Sequence, residues 1–396
     1  MDYRFSGALK DLKPSAIREI FKSLTNPDVI AFAAGNPAAV SFPAQDVARL
    51  ASNILTHEPA SALQYGTTEG YTPLRTAVFA RCREKFGIAS DDDDILIVSG
   101  GQQGLELACK VFCDDGDVVL CEDVSFIGAL NSFRSCGARL VGVRCDDDGI
   151  VPETLERACQ DNPRAKLLYI IPTFHNPCGT TTTLARRRAI YEVCRRYGVM
   201  ILEDNPYGEL RFAGEDIPTI KSMDTEGLVI YCSSFSKLLS AGMRVGYVIA
   251  PRTVISKMVV AKQGEDVHTN LLSQMIIYRY MTEYDFDAHV ASVAALYGKK
   301  CAVMMDALDK YMPKSVKWTR PGGGLFVWLT LPDSIDQGEF IRRAMQRNVA
   351  VVPGEAFSTD TEARSQSFRI TYSTPTEEQI VRGVRSLGEI AAEMIK

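Results

Sequence analysis

The chain has 396 residues, more than one ordinary hydrophobic core organises, so two domains are expected. Its composition, 46% hydrophobic and 23% charged, is that of a globular protein, and a net charge of −5 gives no electrostatic reason to bind nucleic acid. No stretch has the uninterrupted apolar length of a membrane span, and Met1 to Lys10 lack the apolar centre of a signal peptide. The eleven cysteines are odd in number and none forms Cys-x-x-Cys, which reads as free thiols in a reducing cytoplasm. Cys109 and Cys113 share a helix face with no histidine near them, and His57, His175, His268 and His289 show no ligand spacing, so no metal site is expected.

Residues before about Ala44 have loop character and are expected to pack on a second domain or a partner subunit. Short runs rich in Val, Ile and Leu follow at Ile95–Val98, Val118–Leu120, Leu167–Ile171, Val199–Leu202, Leu228–Tyr231 and Val245–Ile249, and predict buried parallel strands. Helical patterns at Gly104–Phe112, Pro152–Cys159 and Leu184–Tyr197 separate several of them, an α/β arrangement. A long helix is predicted over Phe286–Met312, stopped by Pro313. Strands are then expected at Leu325–Leu329, Val349–Val352 and Phe368–Tyr372 around a helix Gln337–Arg347. A last helix opens on the capping-box sequence Thr376-Glu377-Glu378-Gln379. The expected division is an amino-terminal segment 1–44, a large α/β domain 45–285 with a mostly parallel sheet of the seven-stranded type flanked by helices, and a smaller α+β domain 286–396.

Ligands of open α/β sheets bind beyond the carboxyl ends of the strands. The first end leads into Ser99-Gly100-Gly101-Gln102, a glycine turn opening a helix whose free N–H groups suit a phosphate. The next ends lead to Phe126, a flat apolar face, and to the turn His175-Asn176-Pro177-Cys178-Gly179. Glu203-Asp204-Asn205-Pro206-Tyr207 follows the fourth run, and a carboxylate there calls for a cationic partner such as a protonated pyridine nitrogen. The fifth leads to Ser233-Ser234-Phe235-Ser236-Lys237, with Arg244 shortly after. Two hydroxyls and a guanidinium suit a phosphate, and the amine suits an aldehyde. Each segment alone has an ordinary reading as a turn, a cap or core. Together they describe one site for a flat, phosphorylated, cationic aldehyde, which is pyridoxal 5′-phosphate.

With these motifs the chain resembles the fold-type I pyridoxal-phosphate-dependent aminotransferases of class I/II. The resemblance rests on Ser-Phe-Ser-Lys237 with Gly242-Met243-Arg244-Val245-Gly246-Tyr247, on Asn176-Pro177-Cys178-Gly179 and on Asp204-x-x-Tyr207. It also rests on Gln64-Tyr65-Gly66 to Arg75, Pro321-x-Gly-Gly-Leu-Phe-Val-Trp328, Val352-Pro353-Gly354-x-x-Phe357 and Phe368-Arg369-Ile370. It covers nearly the whole chain and is closest to the 2-aminoadipate and kynurenine aminotransferases, to which Ile17-Arg18 adds a match. The resemblance implies transamination from an L-amino acid to a 2-oxo acid such as 2-oxoglutarate, with Lys237, Asp204 and Tyr207 as catalytic residues. Gly100, Gly101, Gln102, Ser234, Ser236 and Arg244 would hold the phosphate, Phe126 the ring face, and Asn176 and Tyr207 the phenolic oxygen. Arg369 would hold the substrate α-carboxylate, with Arg18, Gly35 and Asn176 beside it. A homodimer is implied, with Tyr65 reaching the neighbour's phosphate. Gly101 departs from relatives that carry serine there, so the phosphate leans more on the Gln102 N–H, Ser234, Ser236 and Arg244. A lyase or synthase on the same fold remains open, as does the effector domain of a transcription regulator. Such regulators carry a DNA-binding domain ahead of this fold, whereas here the fold is expected to start within the first 45 residues.

Overall fold

The computed structural model describes residues 3–10 and 28–395. Its centre is a sheet of seven strands: β1 (Asp93–Val98), β2 (Val118–Glu122), β3 (Arg139–Val143), β4 (Ala165–Ile170), β5 (Met200–Asp204), β6 (Val229–Ser234) and β7 (Gly246–Pro251). The spatial order is β1-β7-β6-β5-β4-β2-β3. Pairs from β3 across to β6 are parallel, and β7 is antiparallel to both its neighbours.

Strand periodicity assigns alternate side chains to opposite faces. Val98, Val119, Cys121, Leu167, Tyr169, Leu202, Ile230 and Cys232 pack under helices Gly101–Phe112, Ile127–Ser135 and Arg252–Gln263. Val118, Leu120, Leu168, Ile170, Ile201 and Val229 pack under Pro152–Asp161 and Leu184–Tyr197. A third, continuous core joins Ile95, Ile97, Tyr231, Tyr247 and Ile249 to the helices at Ala44–His57, Thr72–Phe86 and Leu271–Glu283, to the long helix Phe286–Tyr311, and to the C-terminal elements. Burial on both faces explains why these strands read as unbroken apolar runs.

The C-terminal elements form a four-stranded sheet from Lys317–Trp318, Phe326–Thr330, Ser367–Thr371 and Val352–Pro353, in that order. The terminal helix Glu377–Ile395 is capped reciprocally: Gln379 N donates to Thr376 Oγ1 at 3.2 Å, and Thr376 N donates to Gln379 Oε1 at 2.9 Å. Among the described residues no helix is long and apolar enough to cross a membrane, and no three His, Cys, Asp or Glu side chains group to hold a metal ion.

Two expectations need correction, and one strand had no apolar run to mark it. The run Val245–Ile249 is not a parallel strand. Only residues 235–245 join β6 to β7, too few for a crossover, so the chain turns straight back and pairs Gly246 with Ser234. Val349–Val352 is not one strand: Val349–Ala350 pairs with Ile30–Ala31, whereas Val352–Pro353 pairs with Ser367–Thr371. The chain changes partners at Val351. The edge strand β3 gave no apolar run, because Arg139 and Gly142 are exposed at the sheet margin.

Helix Gly101–Phe112 lies close on the sheet at Gly104, where an added Cβ would sit 2.7 Å from Val248 Cγ2 and 2.9 Å from Cys232 Sγ. Gly104→Ala is therefore expected to lower the thermal midpoint, overpacking costing about 1–3 kcal/mol against a helix-propensity gain of about 1 kcal/mol. An unchanged or raised midpoint in differential scanning calorimetry would contradict the close contact.

Candidate active site

The carboxyl ends of β1, β2, β4, β5 and β6 and the start of β7 meet at one edge of the sheet, and there they border a cavity of about 370 Å³. Gly101, Gln102, Phe126, Asn176, Asp204, Tyr207, Ser234, Ser236, Lys237 and Arg244 line it, and Gly35 and Arg369 close it from the opposite side. Turn-forming residues stop the runs here: Ser99-Gly100 follows β1, Pro172 closely follows β4 and Asn205-Pro206 follows β5.

Lys237 is half-buried and its Nζ donates to the Gly35 carbonyl at 2.8 Å. Burial of the amine, with Arg369 and Arg244 nearby, lowers its pKa to about 8. Ser234 Oγ donates to Ser236 Oγ at 2.8 Å, and Arg244 Nη1 donates to Ser236 Oγ at 3.4 Å. Arg244 holds a left-handed φ of 55°, and its Nη2 donates to the Ser99 carbonyl at 3.1 Å. Gly100 has φ 82°, a conformation that favours glycine, and a Cβ there would displace the Arg244 guanidinium from its place. These groups cluster at the start of helix Gly101–Phe112. The Gln102 side chain turns away from them, its Nε2 donating to Gly128 O at 2.8 Å and Ser132 Oγ at 2.6 Å, so only its backbone faces the cradle.

At the other end Asp204 is buried, and Tyr169 Oη donates to its Oδ2 at 2.8 Å. Burial raises the carboxyl to about 7; the Tyr169 hydrogen bond opposes this and the Glu122 charge adds to it. Glu122 in turn lies 3.0 Å from His175 Nε2. Burial would lower the imidazole, but Glu122 outweighs it and raises the pKa to about 10. Tyr207 stands against Asn176, and burial raises its phenol.

Arg369 is 2% exposed, with its guanidinium carbon 4.2 Å from the Phe326 ring centre and 4.8 Å from that of Phe357. Its Nη1 donates to Asn176 Oδ1 at 2.7 Å and its Nη2 to Ala33 O at 2.9 Å. Nε has no partner, and among the described residues no carboxylate pairs with this guanidinium. Burial lowers its pKa to about 10. A buried cation without a counter-charge, and with a donor to spare, is one prepared for an anionic ligand.

One expected residue, Tyr65, is not brought to the cavity. Tyr65 is 80% exposed and stands edge-on to His268, ring centres 5.9 Å apart. Arg18 lies outside the described residues. Gly100 is adjacent, beneath Arg244. Sequence reasoning missed Tyr169 as the donor to Asp204. Its signal was a phenol in an otherwise aliphatic strand, four residues before the turn at 173. It also gave Phe326 no task at Arg369, although Phe326 lies in a motif recognised by resemblance.

The groups fit pyridoxal phosphate. The serines, Arg244 and the helix start suit its phosphate, Asn176 and Tyr207 its phenolic oxygen, Asp204 a protonated ring nitrogen, and Lys237 its aldehyde. A family model, aminotransferase class I and II, matches residues 27–387. The chain is 39% identical to an aromatic-amino-acid aminotransferase of Thermococcus litoralis over 100% of this chain and 96% of that one. It is 38% identical to a 2-aminoadipate transaminase of Thermus thermophilus over 95% and 94% of the two chains. The crystal structure of the Pyrococcus horikoshii kynurenine aminotransferase, a complex with PMP, superposes with TM-score 0.94 at 36% identity, covering 99% of this chain and 98% of that one.

The lowered lysine has a direct chemical consequence. In cofactor-free protein, arylation of Lys237 by trinitrobenzenesulfonate is expected to rise with a midpoint near pH 8, against the ordinary 10.5 of an exposed lysine. Peptide mapping across a pH series reads the midpoint. A value at the ordinary position would mean that the amine faces water.

Proposed function

The chain belongs to the class I and II aminotransferases, and we propose that it moves the amino group of an aromatic or 2-aminoadipate-type L-amino acid to a 2-oxo acid, with 2-oxoglutarate as acceptor. The observation that carries this reading is the placing, on one cavity, of the amine of Lys237 and the guanidinium of Arg369, whose Nε has no partner and which no carboxylate neutralises among the described residues. Bound pyridoxal phosphate supplies an aldehyde for the amino group and a cationic ring that takes up electrons from the substrate's α-carbon. Lys237, neutral above about pH 8, would take the proton from the substrate's α-carbon and then, as the acid so formed, give it back to complete the transfer. Asp204 holds the proton on the ring nitrogen. Tyr169 occupies its Oδ2 and leaves Oδ1 for that contact. Asn176 accepts from Arg369 through Oδ1, which leaves Nδ2 to donate to the phenolic oxygen beside Tyr207. Phe126 covers the ring face. Arg369 grips the α-carboxylate that donor and acceptor share, and so orients the bond to be broken.

In this reading residues 45–285 carry the cofactor and residues 286–396 form a smaller lobe that brings Arg369; Ile30–Ala31 of the amino-terminal segment pairs with Val349–Ala350 of that lobe, whereas helix Gly7–Lys10 of the same segment lies against Ile127–Ser135 of the larger domain. Eleven free cysteines suit a cytoplasmic enzyme. The working unit is a homodimer. Supporting this, Val40, Leu63 and Tyr65 are 82%, 72% and 80% exposed, apolar surface that a second copy would cover.

The reaction is tested by its halves. An amino-acid donor alone should shift the cofactor absorbance to that of the aminated form, and 2-oxoglutarate should restore it. A panel of donors then ranks the side chain. Arg369→Ala should raise KM for donor and acceptor together, by about 2–5 kcal/mol of lost binding. A product formed without any oxo acid would identify a lyase instead.

The shared site is tested by mixing Tyr65→Ala with Lys237→Ala under subunit exchange. A site using Lys237 from the first chain would take Tyr65 from the second, so activity should partly return. Proven heterodimers without recovery, given a strong defect in each parent, would mean that Tyr65 serves its own chain.

A further inference from the structure

Lys262 is fully buried at the end of helix Arg252–Gln263, yet it touches no group of the cavity. A buried ammonium is costly unless its partners are well made, and here they form a closed ring. Lys262 Nζ donates to Asp266 Oδ1 at 2.5 Å and to Gln103 Oε1 at 3.0 Å. The same Gln103 oxygen accepts from Ser99 N at 2.8 Å, and Gln103 Nε2 donates to Glu265 Oε2 at 3.0 Å, which settles how the amide is turned. Ser99 Oγ donates to Asp266 Oδ2 at 2.6 Å and closes the circuit. The remaining polar group of Ser99, its carbonyl, accepts from Arg244 Nη2 at 3.1 Å.

Every polar atom of Ser99 is thus held, and Ser99 immediately precedes Gly100 and Gly101. The turn that supplies Asp266 is itself held under strain. Val267, β-branched, has a left-handed φ of 64°, and His268 N donates to Asp266 O at 2.7 Å. Strain of this kind persists only where the surroundings over-determine the backbone, and it marks a segment kept for what it positions.

We propose that Lys262 and Asp266 are positioning residues for the anion-binding turn Ser99-Gly100-Gly101, acting through Gln103 and Ser99 without touching the cofactor. The inference rests on the reading of that turn as the phosphate site. The ring sets the direction of the free N–H groups at the helix start and fixes the carbonyl that orients Arg244. Its ligand is the phosphate of the cofactor; the ring has no contact with Lys237, Asp204 or Arg369.

The test compares pyridoxamine 5′-phosphate with pyridoxamine, neither of which can condense with Lys237. Both are titrated by calorimetry into the full chain stripped of cofactor. The wild type should bind the phosphorylated compound far more tightly, and the ratio of the two dissociation constants reports the phosphate alone. Lys262→Met keeps the stem without the charge. Asp266→Ala changes a side chain that is 28% exposed and does not depend on the core. Each should lower the ratio about tenfold, as for a lost charge-assisted bond, while pyridoxamine binding is unchanged. The double variant should lose no more than either single one, because both cut the same ring. A wild type without preference for the phosphorylated compound would remove the phosphate reading of the turn itself. A wild type with that preference, and variants that keep it, would overturn the ring alone. Equal weakening of both compounds, or additive losses in the double variant, would also overturn it.

Discussion

Lys237, Arg244 and Arg369 converge on a cavity of about 370 Å³ whose lining, among the described residues, contains a single carboxylate, Asp204. Taking a charge out of water without a partner costs several kcal/mol. The chain reduces that cost in three ways. Burial lowers Lys237 to about 8, Arg369 is given two oxygen acceptors and two aromatic faces, and Arg244 is left exposed. What remains is an excess of positive charge that only anionic ligands complete. A phosphate at one end and a carboxylate at the other satisfy it, and Asp204 supplies the one negative group where a cationic ring nitrogen is to lie. The charge distribution therefore orders the ligand along the cavity.

That ordering depends on how short the return from β6 to β7 is. Residues 235–245 contain no crossover helix, so Lys237 and Arg244 stay at the sheet edge on which the parallel strands end. A longer connection would have carried one of them away. The tightness of the loop shows in the left-handed φ of Arg244, and in how closely its guanidinium lies over Gly100, which itself has a positive φ. The antiparallel strand is thus the means by which a phosphate anchor and a reactive amine, seven residues apart, face the same space.

Much of this was readable in the chain. Apolar runs located six of the seven strands, and the principle that ligands lie beyond strand ends collected Gly101, Phe126, Asn176, Asp204, Tyr207 and Lys237 before any contact was known. Resemblance added Arg369 and Gly35, which no periodicity marks, since Arg369 lies inside a buried strand. The capping box at Thr376 was also legible, because its partners are three residues apart.

What the sequence alone determined was local: which segments form strands, where each stops, and which chemistry follows each stop. Those properties depend on neighbours within a few residues, and hydrophobic period and turn residues express them directly. The tertiary structure decided what depends on residues far apart. It turned the Gln102 side chain away from the cradle, gave Asp204 its phenol donor in Tyr169, and brought the Phe326 and Phe357 rings against Arg369. It reversed β7, split Val349–Val352 between two sheets, and joined Lys262 to Ser99 across 163 residues through Gln103 and Asp266. Side-chain direction and pairing are set by which surfaces finally meet, and a one-dimensional pattern holds no record of that meeting.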